Sequence, residues 1–470
     1  MSATATTEKK YLKWYQKLAY GSGDLASNCS YGLVSSFVLL YLTGTLGLDS
    51  AIIGSLMLAS KVLDGISDVI FGTLIDRTHS KLGKARPWML FGQVGVSLCL
   101  FLLFAIPAGS TTMQYIYFFI VYTALNAVFY TANGIAYSSL VALITKNNNE
   151  RVQLGSFRFM FAVVTNIFMG FAVTGMVEKF GSGAAGWRTT ALIFAIVGLV
   201  VNTISCLAVK ELPEEDLGDN TSEAAEEGKA VAEEKKHGFA ETAKVLVHNK
   251  YYLMILAIYI VYYIMSNLTT GAGVFCATYY WGDGSLLGQF SMMKMFPVII
   301  ALAIAPVLIK KTGSMQKVNF WGYAISSVLG IPMIYFAMQK NLSMFLLFMF
   351  IKGIFAGTLS GSLNALIAEA SGYTTRTTGI HMDGMMYSCS SLGVKVGGGI
   401  GTAAVGWLLK LGGFVGTATV QSESAIRMIF NLYITFPFVI GIIITVLLAF
   451  LDVEKANKKW DAEHQKEAQA

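Results

Sequence analysis

Residues 60–88 read SKVLDGISDVIFGTLIDRTHSKLGKARPW. The first half is apolar enough for the interior of a bilayer, yet it carries Lys61, Asp64 and Asp68. The second half is a short loop with Arg77, Lys81, Lys84 and Arg86. Ionisable groups at membrane depth are costly and are retained chiefly where they serve a function. A basic loop directly after such a helix marks the cytoplasmic side. The stretch therefore predicts a charged spanning helix that ends in a cytoplasmic turn.

The composition extends this to the whole chain. Of its 470 residues 54% are hydrophobic and 13% charged, with a mean hydropathy of +0.58; a soluble chain carries about 25% charged residues. Runs long enough to span a bilayer lie at 18–46, 51–75, 88–107, 114–144, 153–177, 187–209, 251–279, 285–309, 318–338, 342–370, 383–410 and 425–451. They predict an all-α polytopic membrane protein with twelve transmembrane helices, set multi-pass in the cell membrane. Connections such as 47–50 and 107–112 hold no Lys or Arg, whereas the N-terminal tail, the 76–87 loop and the C-terminal tail are basic. Both termini are therefore expected in the cytoplasm. The same loops account for the net charge of +6 without a nucleic-acid partner. The one long polar segment divides the chain into a tail (1–17), a six-helix half (18–209), a cytoplasmic central loop (210–250), a second half (251–451) and a tail (452–470). A weak echo between GTLIDRTHSKLGKARPW and APVLIKKTGSMQKVNFWG suggests that the halves are duplicates. The five cysteines are scattered, and no HExxH, Walker A or GxSxG motif occurs, so neither an enzyme nor a resident cofactor is expected.

Asp64 and Asp68 are four residues apart and share a helical face with Lys61. Two adjacent carboxylates repel unless a cation lies between them or one keeps its proton, which makes them a natural site for Na⁺, Li⁺ or H⁺. Asn28, Thr131 and Asn133 are candidate neutral oxygens. The alternative is a structural ion-pair network with Lys61 and Lys395. In the loop, Asp76, Arg77 and Arg86 can gate the cytoplasmic side by pairing with helix ends, or can simply be topology anchors. For an organic ligand, Tyr130, Asn133 and Tyr137 offer rings and hydrogen bonds on one helix, and Ser391 and Lys395 share a face of another.

SKVLDGISDVIFGTLIDRTHSKLGKARPWMLFG, YGSGDLASNCSYG (20–32) and YSCSSLGVKVGG (387–398) resemble the glycoside–pentoside–hexuronide:cation symporters, the group of the melibiose permease. The resemblance covers nearly the whole chain and implies the major facilitator fold, with two six-helix halves that alternate access to a saccharide or glycoside carried with a monovalent cation. It implies that Asp64 and Asp68 are the cation carboxylates, with Thr131 as a neutral ligand. Lys395 then lies between the cation and sugar sites, and Arg158 serves the sugar cavity or its gate. Asn28, Gly134, Ser138 and Ser360 stand where sodium- and melibiose-using members carry Asp, Asp, Trp and Trp. GDLASN (23–28) is similar to the glucuronide-carrier branch, which favours H⁺ over Na⁺. A lysolipid or amphiphile symporter is the alternative within the wider group, and a functional monomer is expected. Beyond the resemblance, Lys294, Lys352 and Lys395 lie mid-helix in the second half with no mid-helix carboxylate to balance them. An anionic substrate, with Lys352 among its ligands, would complete the pairing; snorkelling is the alternative.

Overall fold

The structure is a computed structural model that describes residues 9–213, 245–379, 383–418 and 420–467. Most of the expected central loop, residues 214–244, lies outside the described residues, as do 1–8 and 468–470. Every regular element among the described residues is helical. In chain order these are α1 (Trp14–Thr45), α2 (Ser50–Asp76), α3 (Arg86–Leu103), α4 (Thr111–Ile144), α5 (Asn148–Lys179) and α6 (Gly183–Leu207). After the central segment come α7 (Lys250–Tyr280), α8 (Leu286–Thr312), α9 (Met315–Met338), α10 (Leu342–Thr378) and α11 (Met385–Leu411). The last spanning segment, α12, joins Glu423–Phe430 through a π-turn (Asn431–Thr435) to Phe436–Phe450, and α13 is Val453–Glu467. Among the described residues, eleven helices are long and apolar enough to cross a membrane. They do not include α2, which is 27 residues long and carries Lys61, Asp64 and Asp68.

Polar caps set the helix starts. The Asp49 carboxylate accepts from the Ala51 and Ile52 N–H groups, and Asn147, Asn249 and Ser314 do the same for α5, α7 and α9. This is why α5 begins ahead of the position that hydropathy suggests. The overrun of α10 past 370 stops at Gly379, whose φ of 70° only glycine adopts freely.

The chain folds as two compact units. Of the described residues, the first holds 9–213 with 277–288 and most of 406–425, and the second holds 245–276, most of 289–405 and 426–467. Within the first unit, Ser50 Oγ donates to the Gly406 carbonyl (2.9 Å) and Trp407 Nε1 to Ser55 Oγ (2.9 Å). Lys410 Nζ lies 2.6 Å from Asp49 Oδ2. Burial pushes the Asp49 carboxyl up, but Lys410 and the two capping N–H groups outweigh it and hold the group below its usual range. Within the second unit, α11 lies against α7 through Gly393, Gly397 and Gly401. A Cβ on these would come within 2.4 Å of Tyr259 and Ile260 or 2.6 Å of Ile264, so only hydrogen fits.

Each unit also contains the same fastening. In the first, Glu211, just after α6, accepts from the N–H groups of Lys84, Ala85 and Arg86 at the start of α3. In the second, Glu454, just after α12, accepts from Ser314 Oγ and the N–H groups of Met315 and Gln316 at the start of α9. Both starts follow a left-handed glycine, Gly83 (φ 110°) and Gly313 (φ 64°). A carboxylate at a helix N-terminus satisfies orphan N–H groups and complements the helix dipole. The sequence echo thus corresponds to a repeated structural device.

Candidate functional site

Helix α4 organises the polar face of the first unit. A π-turn over Ala124–Tyr130 precedes Thr131, and such turns recur at functional sites. Thr131 Oγ1 lies 2.7 Å from Asp64 Oδ1 on α2 and 2.9 Å from the Asn126 carbonyl. Asp64 Oδ2 lies 3.4 Å from Lys61 Nζ, one turn back. Asp68, one turn on, is half-buried on the same helix face. A hydroxyl has one hydrogen, yet Thr131 faces two acceptors. Both contacts are satisfied together when the Asp64 carboxyl carries a proton and donates to Thr131, or when a cation sits among the three oxygens.

The neighbouring face of α4 meets α1 and α5. Tyr130, Gly134 and Tyr137 are spaced i, i+4, i+7, as are Asp24, Asn28 and Tyr31 on α1. Tyr130 stacks on Tyr31 with centroids 5.6 Å apart. A Cβ at Gly134 would meet nothing within 4 Å, so this position borders open space. Arg158 of α5 holds Asp24 at 2.6 Å and lies 4.2 Å over the ring of Tyr137. Asn28 donates to the Asp24 carbonyl (2.7 Å) and accepts from Asn166 (2.9 Å).

Several expectations change here. Asn133 is not beside Thr131; two residues of helix turn it to the far side, where its amide donates to Gln93 of α3 (2.6 Å) in a buried contact. Asn28 joins the Asp24–Arg158 group, hydrogen-bonding to Asp24 and Asn166 rather than to the α2 carboxylates. Tyr137 is buried, its hydroxyl donates to the Tyr20 carbonyl (2.7 Å) and Arg158 lies over its ring. Arg86 is buried and donates to the Cys206 and Leu82 carbonyls, tying the loop to the end of α6. Asp76 and Arg77 are exposed and form no ion pair among the described residues. In the second unit, Ser391 is exposed and Lys395 half-buried on α11, while Lys352 of α10 faces a cavity. Sequence reasoning missed Asp24. It lies within the first apolar run, so the rule that singles out Asp64 applied to it as well.

These features sit in a chain whose relatives are informative. The profile of the MFS/sugar transport protein family matches residues 19–455. The isoprimeverose transporter of Lactiplantibacillus pentosus is 26% identical over 98% of this chain and 93% of its own length. A glucuronide carrier protein homologue of Escherichia coli (strain K12) is 23% identical, with 86% and 85% covered. A crystal structure of a bacterial homologue of the human lysosomal transporter Spinster has a TM-score of 0.65 at 13% identity, covering 95% of this chain and 97% of that one, a likeness of fold alone. With the match running almost from end to end, the chain belongs to the MFS/sugar transport protein family and is a multi-pass transporter of the cell membrane.

Proposed function

We propose that this protein is a proton-coupled symporter of a sugar or glycoside, working by alternating access of two six-helix halves. In this reading α2 is the twelfth span, both termini are cytoplasmic and the functional unit is a monomer. Asp64 and Asp68 carry the coupling ion, with Thr131 as the neutral partner. Tyr130, Tyr31, Asn28 and the Asp24–Arg158 pair line the adjoining sugar face. The observation that supports the site is the contact of Thr131 Oγ1 with Asp64 Oδ1 at 2.7 Å, an arrangement that a bound proton or cation completes. Asn28, where sodium-using members have Asp, leaves one carboxylate fewer for a metal cation.

The test is uptake of a glycoside panel into proteoliposomes with Na⁺ and pH gradients imposed separately. Uptake should follow the pH gradient. Asp64→Asn and Asp68→Asn should retain the fold and lose gradient-driven accumulation. Accumulation driven only by Na⁺ would overturn the proton, and normal accumulation in both variants would overturn the site. Failure of every saccharide would shift the substrate to the amphiphile class.

A further inference from the structure

The second unit holds a partly open cavity of about 190 Å³ lined by α7, α8, α9, α10 and α12. Lys294 and Lys352 both line it, and no Asp or Glu does. Lys294 Nζ lies 3.2 Å from Thr270 Oγ1 and 3.5 Å from Thr269 Oγ1. Both threonine hydroxyls already donate to backbone carbonyls one turn back, so they can accept from the ammonium but bring no negative charge. Lys352 has no hydrogen bond or ion pair among the described residues. Membrane-embedded charges are ordinarily paired. Two lysines and several hydroxyls thus face one cavity whose lining holds no carboxylate.

The rest of the lining suits a small hydroxylated molecule. Tyr262, Ser266, Tyr323, Ser326 and Ser327 add hydroxyls to that of Thr269, and most of the remaining wall is apolar. At about 190 Å³ the cavity has room for the acid-bearing end of a small molecule.

We propose that this cavity binds the acid group of a small organic anion, a carboxylate or sulfonate on a polyhydroxylated molecule, with Lys352 as its principal counter-ion and Lys294 as the second. The acid site stands on the cavity alone; its narrower form, a sugar acid such as a hexuronide, rests on the saccharide reading above. The site then selects charged over neutral forms of the same sugar.

The experiment measures ligand-induced thermal stabilisation of the full-length purified protein with methyl glucuronide, methyl glucoside and 2,3-dihydroxypropane-1-sulfonate. The glucuronide should bind on the order of 10- to 100-fold more tightly than the glucoside, the value of one or two charge-assisted hydrogen bonds. Lys352→Met should erase that preference, Lys352→Arg should retain it, and Lys294→Met should reduce it. Equal binding of the two glycosides by the unaltered protein, or equal weakening of both by Lys352→Met, would overturn the acid site and leave the sugar reading standing. Lys352-dependent binding of the sulfonate with neither glycoside bound would support the acid site and overturn the sugar reading. Binding of none of the three would overturn the acid site.

Discussion

The two units share a fastening but handle charge in opposite ways. Glu211 on α3 and Glu454 on α9 do the same work at equivalent places, each after a left-handed glycine. Between these ends the first unit pairs its membrane charges internally, Arg158 with Asp24 and Lys61 with Asp64. The second surrounds a cavity with Lys294 and Lys352 and supplies no carboxylate to its lining. The units thus share what holds helix ends together and differ in their interior charges. Ends need satisfied backbone groups whatever is carried, whereas interior charges answer to ligands.

Removing one partner of an internal pair should show the largest effect. Arg158→Met leaves Asp24 half-buried without its cation and should lower stability by about 3 kcal/mol. It should also impair substrate affinity, read from thermal melts and uptake KM together. The two fastenings offer the next comparison. Glu454 is buried and Glu211 partly exposed, so Glu454→Ala should cost about 2 kcal/mol and Glu211→Ala about 1 kcal/mol, because a desolvated N-terminus loses more with its acceptor. Equal costs would show that burial does not distinguish the repeats.

Lys352→Met should act with the opposite sign to Arg158→Met. Without ligand, it removes a charge for which the cavity supplies no counter-ion and should leave stability unchanged or raise it by about 1 kcal/mol. Destabilisation equal to that of Arg158→Met would break the contrast between the units. The smallest effect belongs to Asp49. Its carboxyl is held below the usual range when folded, so its contribution is fully present above the unfolded value near about 4 and is lost as pH falls through the lowered folded value. Asp49→Asn retains the cap but not the charge. Its melting temperature should therefore lie slightly below that of the unaltered protein at neutral pH and converge with it in acid.

Residue by residue, legibility followed sequence distance. Thr131 and Asp64 were readable as partners through the resemblance, and the i, i+4 relation of Asp64 and Asp68 needs only helical geometry. Asp24 was passed over because the residue that gives it meaning, Arg158, lies 134 positions away. Asn133 was misplaced because a polar residue in an apolar helix signals only that it needs a partner. The α3 contact that supplies Gln93 depends on how α4 is rotated, and the π-turn at Ala124–Tyr130 resets that rotation.

By itself the sequence determined the helical class, the apolar spans, the basic loops and the short list of costly interior charges, since all of these follow from local composition and the energetics of a bilayer. Only the tertiary structure decided that Asn28 and Tyr137 touch the Asp24–Arg158 group and that Arg86 bonds to the Cys206 carbonyl. It alone grouped 277–288 and 406–425 with the first unit and placed Lys294 and Lys352 around one cavity. Those outcomes depend on which helix faces meet, and packing between distant segments sets that through close glycine contacts and reciprocal hydrogen bonds that no local pattern encodes.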